Sequence, residues 1–131
     1  MAGLVDNIKK VINKAKQNIY ICFGDIDEDW QGQEVISAVK ERIGKKVTVW
    51  VLADKKIDVE ANPLYLYLLS KKRSNSVVIF QTNMTPKVFF VNSDAKNFVV
   101  GYTARFWDPL SGNYLRDKFM DAAEGAKLVK D

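Results

Sequence analysis

Acidic side chains follow two apolar runs of the sequence and could form a metal site. Asp25 and Asp27 come soon after a run that ends at Phe23, and Asp54 follows a second run that ends at Leu52. Carboxylate oxygens are ligands that Mg²⁺ prefers, and open α/β sheets bind ligands beyond the carboxyl ends of their strands. One hypothesis is therefore a histidine-free, metal-dependent nuclease or phosphoryl-transfer enzyme. Acids at the start of a helix also cap it and favour its dipole, so a structural role is the alternative.

Basic side chains are the second group with suitable chemistry, because they can bind phosphate. Lys71, Lys72 and Arg73 form a compact triplet, and Arg105 follows a predicted strand with aromatic residues on both sides. An arginine among aromatic rings can grip phosphate and stack on bases. Solvated helix faces and side chains that cover the core give the same patterns. The cations therefore indicate nucleic acid only if they share one face. Four further lysines fall on the first predicted helix: Lys9, Lys10, Lys14 and Lys16.

The composition excludes several classes of reaction. The 131 residues include no histidine and a single cysteine, Cys22. Without an imidazole there is no Ser-His-Asp or Cys-His nucleophile, no histidine proton shuttle and no histidine-ligated zinc. One cysteine cannot form an intrachain disulfide. The net charge, 20 − 16 = +4, is a mild excess that permits attraction to nucleic acid without establishing it.

The hydrophobic pattern predicts the elements that must position these residues. Strand, helix, strand with short connections predicts a right-handed parallel crossover near the start of the chain. Turn-forming residues at 92–97 predict a hairpin, residues 108–112 predict a loop, and Asn62 and Pro63 suit the cap and first turn of a helix. We predict one α/β domain, residues 1–131, with a mixed sheet of about five strands flanked by about four helices. Helices are predicted for 4–16, 29–43, from 63 and from about 113, and strands for 18–23, 47–52, 77–81, 87–91 and 98–102.

The two segments of the predicted hairpin, 86–92 and 97–102, carry part of a known motif, which includes Lys87 and Gly101. Active members of the phospholipase D superfamily have His-x-Lys, four residues and Asp, then a strand that ends in Gly-Ser-x-Asn. Segments 86–92 and 97–102 resemble this pattern, and the order of predicted elements resembles one half of such a protein. Lys87 matches the motif lysine and Gly101 the glycine. The other motif positions differ. Thr85 replaces the nucleophilic histidine, and Asn92 replaces the aspartate. Tyr102 replaces the serine, and Ala104 replaces the asparagine.

The resemblance implies a phospholipase D-like fold without phospholipase D catalysis. The family attacks phosphorus with an imidazole, and a threonine hydroxyl beside no base cannot replace it. Lys87, with Thr85, Asn92 and Thr103 as neutral hydrogen-bonding groups, could still hold an anion. A lysine that begins a strand with its amine in water is the alternative. The resemblance also implies a homodimer, because a half domain of this family builds its site by pairing two copies. Candidate exposed aromatic residues for an interface are Trp30, Tyr65, Tyr67 and Trp107.

We interpret the sequence as a non-catalytic, phospholipase D-like binding or assembly module with no cofactor. Its expected ligand is the phosphate backbone of DNA or RNA, contacted by Lys87, Arg105 and the triplet at 71–73. The alternatives are the enzyme with Mg²⁺ on Asp25, Asp27 and Asp54, and a purely structural or protein-interaction role. No apolar run approaches the roughly 20 residues of a membrane span. The first residues lack the features of a signal peptide, so we expect a cytoplasmic protein without a membrane partner.

Overall fold

One mixed sheet organises the protein. The computed structural model describes residues 3–23, 30–83, 89–100 and 106–129. In these residues the strands are β1 Asn18–Cys22, β2 Thr48–Asp54, β3 Val77–Thr82, β4 Phe90–Ser93, β5 Asn97–Val100, β6 Phe106–Trp107 and β7 Lys127–Val129. The helices are α1 Leu4–Asn13, α2 Gln33–Gly44, α3 Pro63–Leu69 and α4 Pro109–Glu124. The sheet order is β6-β5-β4-β1-β2-β3-β7, with β1, β2 and β3 parallel and each remaining neighbouring pair antiparallel.

The two faces of the sheet are covered unequally. Helices α1, α2 and α3 pack on one face, where inward residues of the strands such as Ile21 and Val51 are fully buried. Alternate strand residues point to the opposite face, which packs on α4. There Phe119 of α4 makes edge-on ring contacts with Tyr20 at 5.6 Å and Phe90 at 6.4 Å between centroids. The α4 face has the smaller core, and part of it at β2 and β3 is only half-buried.

The predicted fold class is confirmed, and the strand count is higher than predicted. The parallel β1-α2-β2 crossover is present, and the hairpin turn is confined to Asp94, Ala95 and Lys96 between β4 and β5. The seven strands in the described residues include β6 and β7, which the sequence did not predict. These two strands have two and three residues, too short for an alternating pattern to be recognised. No helix within the described ranges is long and apolar enough to cross a membrane.

Helix α4 begins at Pro109, so the predicted loop at 108–112 is wrong. The Asp108 carboxylate accepts the backbone N–H of Leu110 at 3.1 Å, and Pro109 fits the first helical position. Gly112 lies inside this helix, where a Cβ atom would overlap the backbone carbonyl of Ala95. The glycine that indicated a loop therefore serves close packing between α4 and the β4-β5 turn.

A buried polar pair replaces the predicted cap of α3. The side chain of Asn62 does not cap the helix. Instead, Gln31 Oε1 accepts the backbone N–H of Leu64 at 3.2 Å, and Gln31 Nε2 donates to Asn62 Oδ1 at 2.6 Å. Asn62 Nδ2 then donates to the carbonyl of Asp58 at 2.7 Å. Gln31 thus ties the segment before α2 to the start of α3 through the core.

Two of the four aromatic residues predicted to be exposed are buried. Trp30 is 2% exposed and packs on Phe89, with 4.7 Å between ring centroids. Tyr65 is fully buried, and its hydroxyl accepts from Gln81 Nε2 at 3.2 Å. Tyr67 is half-buried. Only Trp107, 65% exposed, fits the prediction, and it lies on the outer strand β6.

Candidate nucleic-acid interface

Parallel pairing brings the amino ends of three strands to one edge of the sheet. Asn18 of β1 pairs with Thr48 of β2, and Val49 of β2 pairs with Val77 of β3. The backbone N–H of Thr48 donates to the carbonyl of Gln17 at 2.9 Å, which extends this alignment beyond the strands. We call this side of the sheet the amino edge and the opposite side the carboxyl edge.

The carboxyl edge holds the described part of the predicted metal site. Asp54 ends β2, and its Oδ1 accepts the backbone N–H of Lys56 at 2.9 Å, so its carboxylate stabilises the turn after the strand. Asp25 and Asp27 lie outside the described residues. Within those residues there is no group of three or more carboxylate, thiol or imidazole side chains that could hold a metal ion. The magnesium site thus stays a prediction, with a structural role established for Asp54.

The described ends of the two strands that carry the phospholipase D-like motif lie at the same carboxyl edge. Phe90, the first residue of β4, pairs with Cys22 of β1 and with Val100 of β5. The chain before Phe90 and the chain after Val100 carry the remaining motif residues. Of the predicted phosphate ligands, Thr85, Lys87, Thr103 and Arg105 lie outside the described residues.

Asn92 is placed in the core, which corrects its expected role as a phosphate ligand. Its side chain is fully buried, and Nδ2 donates to the carbonyl of Gly112 at 2.8 Å. The other amide atom, Oδ1, is also buried and has no hydrogen-bond partner among the described residues. An amide that is enclosed between β4 and α4 has no surface to offer a phosphate group.

The sole cysteine of the chain is buried in the core. Cys22 is 4% exposed in the core under α4. Burial raises the pKa of its thiol to about 12, because the thiolate would lose its hydration. The thiol is therefore neutral at physiological pH, and the reactive thiolate form is essentially absent.

The basic triplet lies at the amino edge, opposite the start of β4. Lys71, Lys72 and Arg73 form the turn between α3 and the amino end of β3. The structure therefore does not bring the triplet to the edge where β4 begins and β5 ends. It brings the triplet instead to cations that precede the other two parallel strands. Together they form what we call the basic edge: Lys14 and Lys16 before β1, Lys45 and Lys46 before β2, and Lys71, Lys72 and Arg73 before β3.

The charges of the basic edge are open to solvent. All seven side chains are exposed except Lys72, which is half-buried. Glu41 lies 3.8 Å from the ammonium of Lys45, whose side chain is still 62% exposed. A hydrogen bond from Arg42, and then the charge of Lys45, lower the pKa of Glu41, so this acid stays ionised. Asp94 also lies beside the edge, where its carboxylate accepts the backbone N–H groups of residues 16, 17 and 18.

Lys45 and Lys46 are binding candidates that the sequence analysis missed. They fall between the predicted helix at 29–43 and the predicted strand at 47–52. The available clue was the combination of two observations, a lysine pair directly before a strand and a predicted parallel crossover. Parallel strands place their preceding residues at one edge, so any cations before successive parallel strands must converge.

The fold is similar to solved structures of phospholipase D family members. Nuc of Salmonella typhimurium, a member of that family, superposes with a TM-score of 0.70 at 10% identity, over 95% of this chain and 89% of that chain. NucT of Helicobacter pylori gives a TM-score of 0.68 at 12% identity, over 93% and 88% of the two chains. The predicted phospholipase D-like fold is thereby confirmed. At these identities the likeness concerns the fold alone.

A DNA-binding protein has the same fold. TrmBL2, an archaeal chromatin protein with a novel mode of DNA binding, superposes with a TM-score of 0.72 at 10% identity. The match covers 98% of this chain and 52% of that chain. No protein-family model matches the sequence, and comparison with curated proteins gives no significant match.

Proposed function

We propose that this protein is a non-catalytic, phospholipase D-like module that binds the phosphate backbone of nucleic acid. The observation that carries the proposal is the convergence of seven cations at the amino ends of β1, β2 and β3. The similarity of the fold to a chromatin protein that binds DNA supports a binding role.

The spacing of the basic edge suits several phosphate groups at once. Neighbouring strands lie about 4.8 Å apart, so the three groups of cations are spread over about 10 Å. Duplex DNA carries one negative charge per about 1.7 Å of its axis, and each phosphate that a lysine or arginine neutralises releases condensed counterions. An exposed lysine carries a point charge on a flexible side chain, so it contacts phosphate groups independently of the base sequence.

The non-catalytic part of the proposal follows from the side chains that the chain contains. It has no histidine, and Thr85 occupies the motif position of the nucleophile. The sole thiol is buried and neutral. Neither the Thr85 hydroxyl nor the Cys22 thiol can replace the histidine nucleophile that attacks phosphorus in the resembled family.

Assembly as a homodimer is the second part of the proposal. Leu110 and Tyr114 lie one turn apart on α4 and are 84% and 61% exposed. Trp107, just before this helix, is 65% exposed. Exposed apolar groups of this size in one region are typical of protein interfaces, and a second copy is the partner that the fold resemblance favours.

The dimer is tested by light scattering after gel filtration, which should give twice the mass of one chain. Leu110→Glu should return the protein to a monomer. A monomeric parent protein would overturn this part.

The binding proposal is tested with a labelled DNA duplex in a salt series. One variant combines Lys16→Ala, Lys45→Ala and Lys71→Ala at the basic edge. A matched control combines Lys40→Ala, Lys55→Ala and Lys56→Ala, which removes the same charge from exposed lysines outside that edge. We expect the first variant to bind more weakly and to lower the slope of log K against log salt by about 2 to 3, since each lost phosphate contact contributes about 0.9. We expect the control to bind like the parent protein.

Other outcomes separate the competing interpretations. A greater loss in the control, or in Lys87→Ala with Arg105→Ala, would show that the DNA contacts lie outside the basic edge and would overturn that part of the proposal. Cleavage of the DNA with Mg²⁺ that stops with chelator and in Asp54→Ala would overturn the non-catalytic assignment and support the metal-dependent enzyme. A parent protein that retains no DNA at low salt would overturn the proposal and leave a structural or protein-interaction role.

A further inference from the structure

A groove opens at the amino edge, on the face of the sheet that α4 covers only in part. Its volume is about 480 Å³, within the range of small-molecule sites in proteins. The apolar wall consists of Trp50 of β2, Val78 of β3 and Leu128 of β7. Trp50 and Val78 are register partners on neighbouring strands, so their side chains lie side by side. The groove therefore joins an aromatic surface to the basic edge.

The Trp50 ring is held in a fixed position. Its Nε1 donates to Asn18 Oδ1 at 2.9 Å, which satisfies the only polar atom of the indole. On its other side Tyr20 lies nearly parallel, with 6.2 Å between centroids and 17° between ring planes. A ring that is already ordered loses little conformational freedom when a ligand contacts it.

The polar side of the groove is cationic. Lys72 and Arg73 line it, together with Ser74 and Asn75. No carboxylate lines it among the described residues. The Ser74 hydroxyl oxygen accepts the backbone N–H of Ser76 at 3.0 Å, which leaves the hydroxyl proton available for donation. These groups match an anion with several acceptor oxygens, such as a phosphate.

We propose that this groove binds one nucleotide unit, with its base against Trp50 and its phosphate between Lys72 and Arg73. A planar heterocycle joined to a phosphate uses both the aromatic wall and the cationic side, whereas an inorganic anion uses only one of them. This inference rests on the proposed function, because Lys72 and Arg73 belong to the basic edge. It adds that an unpaired nucleotide is recognised there, since bases within a duplex are stacked on one another and cannot reach the wall.

The test compares a labelled oligothymidylate strand with the labelled duplex, by fluorescence anisotropy. Trp50→Leu should weaken binding of the oligothymidylate about tenfold, which is the loss expected when one base no longer stacks on an aromatic ring. The affinity for the duplex should stay within twofold of that of the parent protein. Trp50→Phe keeps an aromatic wall and should retain most of the affinity.

Leu128→Glu places a carboxylate in the groove. The Leu128 side chain is 40% exposed, so the fold is preserved, and binding of the oligothymidylate should fall at least tenfold. Met120→Glu, also at a 40% exposed side chain, is the matched control and should change nothing.

The two possible sources of the nucleotide are distinguished by competition with adenosine monophosphate. If adenosine monophosphate displaces the labelled oligothymidylate, a single nucleotide is sufficient for binding in the groove. If only unlabelled oligothymidylate displaces it, the groove is assigned to a polynucleotide. Unchanged strand binding in both Trp50→Leu and Leu128→Glu, with duplex binding intact, would overturn the groove and leave the proposed function standing. Absence of binding to duplex and strand alike would overturn both.

Discussion

The side-chain amide of Asn92 donates a 2.8 Å hydrogen bond to the backbone carbonyl of Gly112, which joins strand β4 to helix α4. Both residues are buried. In the resembled motif, an aspartate occupies the position of Asn92. An ionised carboxylate has no proton to donate, so the Gly112 carbonyl can be satisfied here by an amide but not by a charged acid. The departure from the motif at this position therefore fits the local packing.

Asn92→Asp is predicted to lower the free energy of unfolding by about 1–3 kcal/mol at neutral pH, because it loses the hydrogen bond and buries an unpaired charge. Burial raises the pKa of the introduced carboxyl, so the loss should shrink as the pH falls and the protonated acid donates to Gly112 again. Urea unfolding at several pH values measures this. Asn83→Asp, at an exposed position after β3, is the control and should match the parent protein. Equal stability of Asn92→Asp at neutral pH would contradict the assigned contact.

Gly112→Ala is predicted to destabilise the protein by about 1–3 kcal/mol, because the added methyl group overlaps the Ala95 carbonyl and forces α4 away from the β4-β5 turn. Thermal unfolding measures the change. Gly44→Ala is the control, since a Cβ atom at Gly44 meets no other atom within 4 Å. Alanine is the better helix former, so Gly44→Ala should leave stability unchanged or raise it slightly. A Gly112→Ala variant at least as stable as the parent protein would contradict the close packing.

Gln31→Ala is predicted to lower the free energy of unfolding by about 1–3 kcal/mol, because it leaves the backbone N–H of Leu64 and the side-chain oxygen Oδ1 of Asn62 buried without their partners. Denaturant unfolding provides the measurement. Gln33→Ala removes an exposed glutamine two residues away and should have an effect within about 0.5 kcal/mol. Equal stability of Gln31→Ala and Gln33→Ala would contradict the role of Gln31 in joining the segment before α2 to the start of α3.

Cys22 is predicted to resist thiol reagents in the folded protein. At pH 8 the labelling rate should rise sharply only under denaturing conditions, and because the chain has a single cysteine, the signal comes from one site. Prompt labelling of the native protein would contradict the burial of this thiol.

The raised pKa of Cys22 also predicts a change of stability with pH. The folded value is about 12 and the unfolded value is about 9.0. A group with a raised folded pKa stabilises the protein below its unfolded pKa, and this contribution is lost as the pH rises from 9 towards 12. The difference in unfolding free energy between the parent protein and Cys22→Ala should therefore shift in favour of Cys22→Ala above pH 9. A constant difference across that range would show that the thiol ionises alike in both states.

Much of the fold could be predicted because its long elements have regular patterns. The apolar residues of α1 recur at helical spacing, as Ile8, Val11 and Ile12 show, and those three side chains are fully buried. The central strands are continuous apolar runs. The start of α4 could not be predicted in the same way, because Pro109 and Gly112 are also typical of loops. Only the contact of Gly112 with Ala95, distant in sequence, decides between the two.

The candidate site could be predicted only in part. Lys71, Lys72 and Arg73 were recognised as a cluster, but their neighbours at the basic edge depend on the register of three parallel strands. Trp50 lies within the strand predicted at 47–52, and the pattern there does not indicate a binding surface. Its half-buried position follows from the limited cover that α4 provides, and no local pattern in the sequence reports how far a distant helix extends over a sheet.

The outer strands of the sheet have a consequence for self-association in solution. β6 and β7 are two and three residues long, whereas β2, in the centre, has seven. A strand from another molecule can extend a sheet only by pairing with the backbone of an outer strand, and short outer strands offer few such hydrogen bonds. Exposed Lys127 in β7 adds a charge that an incoming apolar strand would have to accommodate. The described sheet is thus protected against edge-to-edge aggregation.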